Sequence, residues 1–380
     1  ASTDLCRFML KDAAYLSERE ARWDNRKRAR KHKPPVEPLY TMDEAAAAMT
    51  HFEGVHYGKK ITILPGIRIR LSDAGHILGS AIVELWVQHK GIKRKIVFSG
   101  DLGRPSMPVL RDPVRIRQAD LVIMESTYGD RNHQSWEATR DEISGVFNAA
   151  MNGDGGNILM PAFAVGRTQE LLYLLARFYE EWGLERWHIF LDSPMAIEAT
   201  KVFAKHSDLF DAESRALWKR HKKNSLLPNL HFSQTPEQSM AINTIRNGAI
   251  IIAGSGMCNG GRIRHHLRHN ISRKKCQVVM TGFQVRGTTG RALVDGAKTI
   301  QLEGVAAKVK AKIHTIGGLS AHADQAGLLR WYRNFKERPP VVLVHGEETP
   351  LQSLAQCLEP YASRVHVAKA GRALDLTSIV

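Results

Sequence analysis

The pattern of apolar and polar residues changes twice along the chain. Residues 5–24 carry apolar residues at helical spacing, which predicts a first helix. A second predicted helix begins at the cap-like Thr41, and a basic, proline-containing loop over residues 25–39 joins the two. From about residue 60 to residue 128 the pattern consists of short β-branched runs bounded by Gly, Pro and Asp, which predicts strands.

From about residue 130 the pattern alternates between helices and strands. Apolar runs such as HIFLDSP and GAIIIAGSG are separated by amphipathic stretches such as WEATRDEISGVFNAAMN. This alternation predicts a parallel sheet with helices on both faces. Near residue 317 the first kind of pattern returns. We therefore predict one α/β domain formed by residues 1–129 and 319–380, interrupted by an inserted α/β domain at residues 130–318.

Polar side chains of similar chemistry follow the predicted strands of the outer domain. His76, Asp101 and Glu125 lie in the first segment, and His322 and His345 lie after the insertion. Each of these residues alone is more often structural than functional. The whole set in this order is a far more specific sign of a functional site. Because reactive groups gather at strand ends in α/β enzymes, we expect these residues to converge on one site. Histidines combined with carboxylates favour a metal site over a nucleophile triad.

The charge of the chain favours a polyanionic partner. Its 380 residues include 54 Lys and Arg against 38 Asp and Glu, which gives a formal net charge of +16 and indicates nucleic acid. Clusters of basic residues are candidate phosphate contacts, and they lie at Arg22–Lys33, Trp218–Lys223, Arg262–His269 and Ser272–Lys275. The first cluster has an alternative interpretation as a solvated loop before Pro34 and Pro35.

Two further observations restrict the class of protein. No apolar run approaches the ~20 residues of a membrane span, so no membrane partner is expected. The four cysteines are widely spaced and form no CxxC pair, which predicts reduced thiols and a cytoplasmic protein.

Eight motifs in order resemble those of one enzyme family. They are DAGHILGSA, FSGDLGR, ESTYGDR, MPAFAVGRTQELL, SGMCNGG, GFQVRGTTGR, GGLSAHADQ and LVHGE. The order resembles the metallo-β-lactamase-fold nucleases of the β-CASP family, which include the pre-mRNA 3′-end cleavage endonuclease and bacterial ribonuclease J. The resemblance covers essentially the whole chain. It implies an α/β fold: an αββα metallo-β-lactamase sandwich, incomplete at the N-terminus, with an inserted β-CASP domain.

The resemblance also implies roles for the strand-end residues. His76, Asp101 and His345 match zinc ligands, and Asp101 matches the aspartate that bridges two zincs. Glu125 matches an acidic residue that supports a ligand histidine. His322 matches a histidine near the scissile phosphate, a proton donor or a phosphate clamp. His322, Glu125 and Asp101 are thus the predicted catalytic residues, and a complete site takes two Zn²⁺, with Mn²⁺ as an alternative.

The family's first zinc cluster, an HxHxDH run, does not occur in this sequence. The expectation is therefore a catalytic domain truncated at the N-terminus, which holds about half of the ligands and binds zinc poorly. The main hypothesis is a zinc-dependent ribonuclease acting on single-stranded RNA, as an endonuclease or a 5′-exonuclease. The alternative is an inactive RNA-binding β-CASP subunit that partners an active homologue. A small-ester hydrolase of the same fold is disfavoured by the inserted domain and the basic charge.

The inserted domain is expected to bind the RNA. Gly/Ser/Thr-rich turns and a cation at a helix start can present N–H groups and charge to phosphate. The predicted RNA-binding residues are Arg167, Ser255, Gly256, Gln284, Arg291 and Ser320. Phe163 and Phe283 are candidates for base stacking, but core packing is the stronger expectation for each alone. A cleft between domains favours single strands, and the resemblance also allows a homodimer.

Overall fold

The computed structural model of the chain describes residues 1–152, 155–220 and 227–375. His221, Lys222 and Lys223 of the predicted basic cluster Trp218–Lys223 lie outside the described residues.

The secondary structure falls into three segments that correspond to the changes of pattern. The first contains α1 (Ser2–Ala29), α2 (Met42–Met49), β1 (Lys60–Leu64), β2 (Ile67–Asp73), β3 (Ala81–His89), β4 (Ile92–Phe98) and β5 (Leu121–Glu125). The second contains α3 (Trp136–Asn152), β6 (Ile158–Pro161), α4 (Arg167–Arg177), β7 (His188–Leu191), α5 (Pro194–Lys205), α6 (Ala212–Arg220), β8 (Leu230–Phe232), α7 (Pro236–Ile242), β9 (Ala249–Ala253), α8 (Ile263–Asn270), β10 (Gln277–Met280), α9 (Thr289–Val294), β11 (Thr299–Leu302), β12 (Val305–Lys308) and β13 (Lys312–Thr315). The third contains α10 (Gln325–Tyr332), β14 (Val341–Val344), α11 (Glu348–Leu358) and β15 (Val365–Val367).

The outer sheet joins the first and third segments. Its seven strands lie in the order β1-β2-β3-β4-β5-β14-β15, antiparallel from β1 to β4 and parallel from β4 onward. Strand β14 pairs directly with β5, in a register that places Val344 opposite Glu125. Parallel neighbours end at the same edge of a sheet, so the residues that follow β5 and β14 leave it side by side.

The inserted segment forms its own sheet, as the alternating pattern predicts. Six parallel strands lie in the order β13-β10-β6-β9-β7-β8, and β11 and β12 form a separate hairpin. Residues of α3, α4 and α5 pack against one face of the sheet, and residues of α8 and α9 pack against the other. The prediction of a parallel sheet covered on both faces is therefore confirmed.

The two faces of the outer sheet differ in what covers them. Apolar residues of β4, β5 and β14 pack with α10 and α11 on one face. Their neighbours Ile96, Leu121 and Val342 point to the opposite face, because side chains alternate along a strand. That face carries only a small cluster with partly buried members. The described residues thus supply one sheet and one helical layer of the αββα sandwich.

Helix α1 differs from the prediction in length and in partner. It continues to Ala29, whereas the sequence indicated a loop from residue 25. Residues 25–29 contain no helix breaker, and cations in the last turn interact favourably with the helix dipole. The helix packs against α5 of the inserted domain: Leu5 joins that domain's core, and Asp4 accepts hydrogen bonds from Lys205 and His206. The boundaries proposed at residues 129 and 318 remain predictions.

The loop after β4 is held between two other loops by its backbone. The hydrogen bonds run from the N–H of Gly103 to the carbonyl of Ala74, from Arg104 to Ala321, and from Ala323 to Leu102. A Cβ atom on Gly103 would lie 1.8 Å from the carbonyl oxygen of Gly75, so a side chain does not fit. Glycine at this position therefore lets the three loops that carry His76, Asp101 and His322 meet.

We expect Gly103→Ala to destabilise the fold by about 2–3 kcal/mol, because the new methyl group must displace backbone. The measurement is urea unfolding followed by circular dichroism. Gly145→Ala is the matched control, since a Cβ there meets no heavy atom within 4 Å and lies inside α3. The control should gain about 0.5–1 kcal/mol from helix propensity. A Gly103→Ala protein as stable as the parent would contradict the packing described here.

Candidate metal centre and active site

Asp101 lies between two histidines from distant parts of the chain. Its Oδ2 atom is 3.9 Å from Nε2 of His76, and its Oδ1 atom is 3.2 Å from Nδ1 of His345. His76, Asp101 and His322 can each offer a ligand atom, and these three atoms lie within 4.8 Å of one another. The strand-end residues proposed from the sequence are therefore brought together, and the two carboxylate oxygens of Asp101 face different histidines.

His76 is partly buried and is neutral at neutral pH. Burial, followed by the nearby His322, lowers the pKa of its imidazole to about 4. A neutral imidazole has a free lone pair, which is the form that binds metal. The loop holds the residue through Ser80, whose Oγ accepts a hydrogen bond from the backbone N–H of His76 at 3.2 Å.

The buried Glu125 and the partly buried His322 form a pair beside Asp101. Nδ1 of His322 lies 3.1 Å from Oε2 of Glu125, and the backbone N–H of Leu102 donates to Oε1 at 2.5 Å. Burial alone would raise the pKa of Glu125, but the bonds to His322 and Leu102 outweigh it, so the pKa lies below its ordinary value. Burial alone would lower the pKa of His322, but Glu125 and then Asp101 raise it above its ordinary value.

A strained turn after β14 orients His345. Its backbone has φ 52°, in the left-handed region that few non-glycine residues adopt. Gly346 follows it, where a Cβ would lie 2.8 Å from the carbonyl oxygen of Ser126. The hydroxyl of Thr127 lies 3.3 Å from Nδ1 of His345. The turn after β5 and the turn after β14 therefore fit against each other and set the direction of the imidazole.

The donor set fits a zinc-like metal in kind. Imidazole nitrogens and a carboxylate suit Zn²⁺, and a carboxylate with an imidazole near each oxygen suits a bridging position. Zinc generally takes four ligands, and two histidines with one shared aspartate fill only part of two such shells. The expectation of weak zinc binding by these residues alone thus remains a prediction.

Three residues that the sequence analysis did not single out support this site. Nε2 of His133 lies 3.2 Å from the carbonyl oxygen of His322, and Tyr128 contacts the His133 ring edge-on, with centroids 4.5 Å apart. Arg104 donates to the carbonyl of Gly318 at 2.8 Å. The sequence could have indicated these residues only by their place in the chain, because they lie within or just after the FSGDLGR and ESTYGDR motifs.

A cavity of about 320 Å³ lies next to the site, between the outer and inserted domains. Three of the predicted RNA-binding residues line it, namely Gln284, Arg291 and Ser320. Aromatic rings and a cation complete the wall, through Tyr128, Phe283 and Arg131. The cavity also reaches His133, so it continues toward His322.

The loop of Ser255 and Gly256 lies behind this cavity. Nε2 of Gln284 donates to the carbonyl of Gly256 at 3.0 Å, and the Ser255 hydroxyl bonds to Gly260 within its own loop. Phe163 and Phe283 are each 47% exposed, so the expectation of core packing was wrong for both. Phe163 follows β6 and Phe283 follows β10, so both lie in loops after strands. Phe283 also lines the cavity, and its exposed ring is available for base stacking.

Arg167 has surroundings that differ from those of the other predicted RNA contacts. Its side chain is only 8% exposed and forms an ion pair with Glu170, three residues along α4. This geometry favours a structural role, and its contact with phosphate remains a prediction. Two members of the Arg262–His269 cluster are similarly engaged, because Asp192 accepts hydrogen bonds from Arg262 at 2.7 Å and from His266 at 2.5 Å.

Comparison with known proteins identifies the family of this chain. Residues 168–293 match the family model described as Beta-Casp domain, and residues 306–368 match the model described as Zn-dependent metallo-hydrolase RNA specificity domain. Ribonuclease TTHA0252 of Thermus thermophilus is 35% identical over 340 residues, which cover 90% of this chain and 76% of the relative. The chain belongs to the β-CASP family of metallo-β-lactamase-fold proteins.

Other β-CASP relatives differ in how much of their length is matched. The transcription termination factor FttA of Methanocaldococcus jannaschii is 30% identical, and the match covers 82% of this chain and 50% of FttA. The RNase J-like protein of the same organism is 29% identical, with 84% of this chain and 73% of the relative covered. Among the described residues, no helix is both long and apolar enough to span a bilayer.

We expect Glu125→Gln to lower the pKa of His322, because the amide keeps the shape but removes the charge that offsets burial. The direction of this change follows from the charge of Glu125, which favours the protonated imidazole, so His322 loses its proton at higher pH when Glu125 is present. Histidine NMR titration measures the change. Glu348→Gln, at an exposed position in the first turn of α11, is the control. An unchanged pKa of His322 in Glu125→Gln would remove Glu125 as the controlling charge.

Proposed function

We propose that this chain is a metal-dependent ribonuclease that hydrolyses phosphodiester bonds of single-stranded RNA. The observation that carries the proposal is Asp101, whose two carboxylate oxygens face His76 and His345 while the Glu125–His322 pair lies alongside. This arrangement places the metal-binding donors next to a titratable group, His322, which is itself bonded to Glu125. Metal ions and a general acid are two means by which enzymes promote phosphodiester hydrolysis.

Each residue has a role that follows from its surroundings. A pair of zinc ions bound here would supply an acidified water and polarise a phosphate oxygen. His76 would contribute a neutral imidazole to a bound metal, and the two carboxylate oxygens of Asp101, which face different histidines, would also be ligands. His322, whose protonated form Glu125 stabilises, is placed to stabilise negative charge on the phosphate or to protonate the leaving oxygen. The contact with the buried Glu125 holds His322 where a nitrogen of its imidazole lies within 4.8 Å of an Asp101 oxygen.

The proposed RNA path runs through the cavity between the domains. Gln284, Arg291 and Ser320 offer polar groups, and Phe283 and Tyr128 offer ring faces for unstacked bases. A base can reach such a wall only when it is splayed out of a helix, which favours single-stranded over duplex RNA. The net charge of +16 supplies long-range attraction to phosphate.

The relatives support the reaction and the metal. Two of them are named as a ribonuclease and an RNase J-like protein, and the matched C-terminal family model is named for zinc dependence and RNA specificity. We propose Zn²⁺ for this reason, with Mn²⁺ as the alternative. A homodimer and a cytoplasmic location remain predictions.

We expect Asp101→Ala to lower cleavage of a 5′-labelled single-stranded RNA on the order of 100-fold or more, since the shared metal ligand is lost. RNA affinity should stay within about threefold, because phosphate contacts elsewhere survive. The assay uses the protein as its gene encodes it, with added Zn²⁺. Asp208→Ala, at an exposed aspartate of the inserted domain, is the matched control and should cleave normally.

Three outcomes would contradict parts of the proposal. Unchanged cleavage by Asp101→Ala would remove the metal mechanism at this cluster. RNA binding without cleavage by the parent protein at saturating Zn²⁺ would favour the alternative, an inactive RNA-binding subunit. Equal cleavage of duplex and single-stranded RNA would reject the strand preference.

A further inference from the structure

The exposed face of α1 carries aromatic and cationic residues in alternation. Tyr15, Arg19, Trp23 and Lys27 follow one another at four-residue spacing, which places them in one row along a helix. The rings are well exposed, Tyr15 at 48% and Trp23 at 57%. Each cation lies over the preceding ring: Arg19 is 5.9 Å from the centroid of Tyr15, and Lys27 is 3.0 Å from that of Trp23.

A second row of cations lies beside the first. Arg22, Arg26 and Arg30 are again spaced by four residues, and all three are exposed. We call the seven residues of these two rows the α1 ladder: Tyr15, Arg19, Arg22, Trp23, Arg26, Lys27 and Arg30. Helical periodicity puts the ladder opposite Ala14 and Ala21, the buried residues by which this half of α1 packs onto the protein.

The positive charge of the ladder is poorly compensated within the protein. Residues 15–33 contain eight Lys and Arg against three Asp and Glu. Arg22 has a carboxylate partner, Glu18, at 3.9 Å, but in the described part of the chain Arg19, Arg26 and Arg30 have no carboxylate oxygen within 4.0 Å of a guanidinium nitrogen. Like charges four residues apart destabilise a helix by a few tenths of a kcal/mol per pair.

Helix stability alone does not explain this pattern. Cations of the last turn, Arg26, Lys27 and Arg28, interact favourably with the helix dipole, but that effect is limited to one turn. Arg19 and Arg22 lie further back, and the dipole gives no reason for exposed aromatic rings between the cations. A polyanion with flat apolar groups accounts for both features, since cations pair with phosphates and rings stack on bases.

We propose that the α1 ladder is a second binding surface for single-stranded RNA, outside the active site. This inference rests on the proposed function, because it assumes that RNA is the substrate. It assigns phosphate contacts to the arginines and base stacking to Tyr15 and Trp23. A membrane surface is disfavoured, because a helix lying in a bilayer needs a continuous apolar face, and α1 uses its small apolar residues against the protein.

The ladder lies at a defined distance from the metal centre. The hydroxyl of Ser2 donates to the carbonyl of Gly79 at 2.8 Å, so α1 begins at the loop that carries His76. At 1.5 Å per residue the ladder then extends from about 20 Å to about 40 Å along the helix axis. An RNA must therefore be long to occupy both surfaces, and the ladder would hold the part of the substrate distant from the scissile bond.

The first test compares two charge variants of the protein in their affinity for RNA. The ladder variant is Arg19→Gln, Arg22→Gln, Arg26→Gln and Arg30→Gln. The matched control removes four exposed lysines near the β11–β12 hairpin, and it is Lys298→Gln, Lys308→Gln, Lys310→Gln and Lys312→Gln. The probe is a 5′-labelled 30-nucleotide oligouridylate, and anisotropy is measured over a range of KCl concentrations. Thermal unfolding checks that both variants fold.

In the ladder variant the magnitude of the slope of log affinity against log salt should fall by roughly 2–3. Each of the four lost phosphate contacts accounts for about 0.7 of this decrease. The control should leave that slope unchanged. Equal slopes for the ladder variant and the parent would overturn the proposal. A decrease of the slope in the control variant as large as that in the ladder variant would overturn it as well. Cleavage of a three-nucleotide RNA should be the same in all three proteins, because a substrate of that length does not reach the ladder.

The second test separates stacking from charge at one position. Trp23→Ala should weaken binding of the 30-nucleotide RNA about fivefold, the lower end of the effect of one stacked base. Trp23→Phe keeps a ring and should retain most of the affinity. Equal affinities for the alanine and phenylalanine variants would remove the stacking role.

The outcomes distinguish this proposal from the proposed function. If the parent protein binds the RNA and the ladder variant binds it equally well, only the ladder fails. If the parent binds no RNA but binds phosphatidylglycerol vesicles through the ladder arginines, both fail and the surface belongs to a membrane. If Asp101→Ala abolishes cleavage while the ladder variant alters the salt slope, both stand.

Discussion

The parallel pairing of β5 with β14 is the contact on which the rest of the site depends. It joins two strands separated by the whole inserted domain and fixes their register, with Val344 opposite Glu125. Because both strands end at the same edge, Glu125 and His345 emerge together, and the loop after β4 brings Asp101 beside them. A shift of this register by one residue would turn His345 to the other face of the sheet.

Charge balance then determines what the clustered residues can do. A buried carboxylate is costly unless it is bonded, and Glu125 is bonded to His322 and to the backbone of Leu102. The same pairing raises the pKa of His322 above its ordinary value, whereas burial lowers the pKa of His76 to about 4. Two histidines with ring centroids 4.2 Å apart thus differ in proton affinity, so that His76 is suited to bind metal and His322 is suited to donate a proton.

Much of this arrangement was predictable from the sequence, and the exceptions have physical reasons. Strand-end placement of His76, Asp101 and His345 is a local pattern, and the structure brings these three side chains together. The ion pair of Arg167 with Glu170 and the exposure of Phe163 depend on which neighbours cover them, and a sequence does not show that. The length of α1 was underestimated because basic residues suit both a solvated loop and the end of a helix.

The central claim is that one carboxylate from the first segment shares metal with histidines from both sides of the insertion. Anomalous diffraction at the zinc absorption edge, from crystals soaked in Zn²⁺, tests it most directly. The account predicts a zinc peak within ligand distance of an Asp101 oxygen and of Nε2 of His76, or of an Asp101 oxygen and His345. Zinc peaks found only elsewhere on the protein, with Asp101 free of metal, would contradict it.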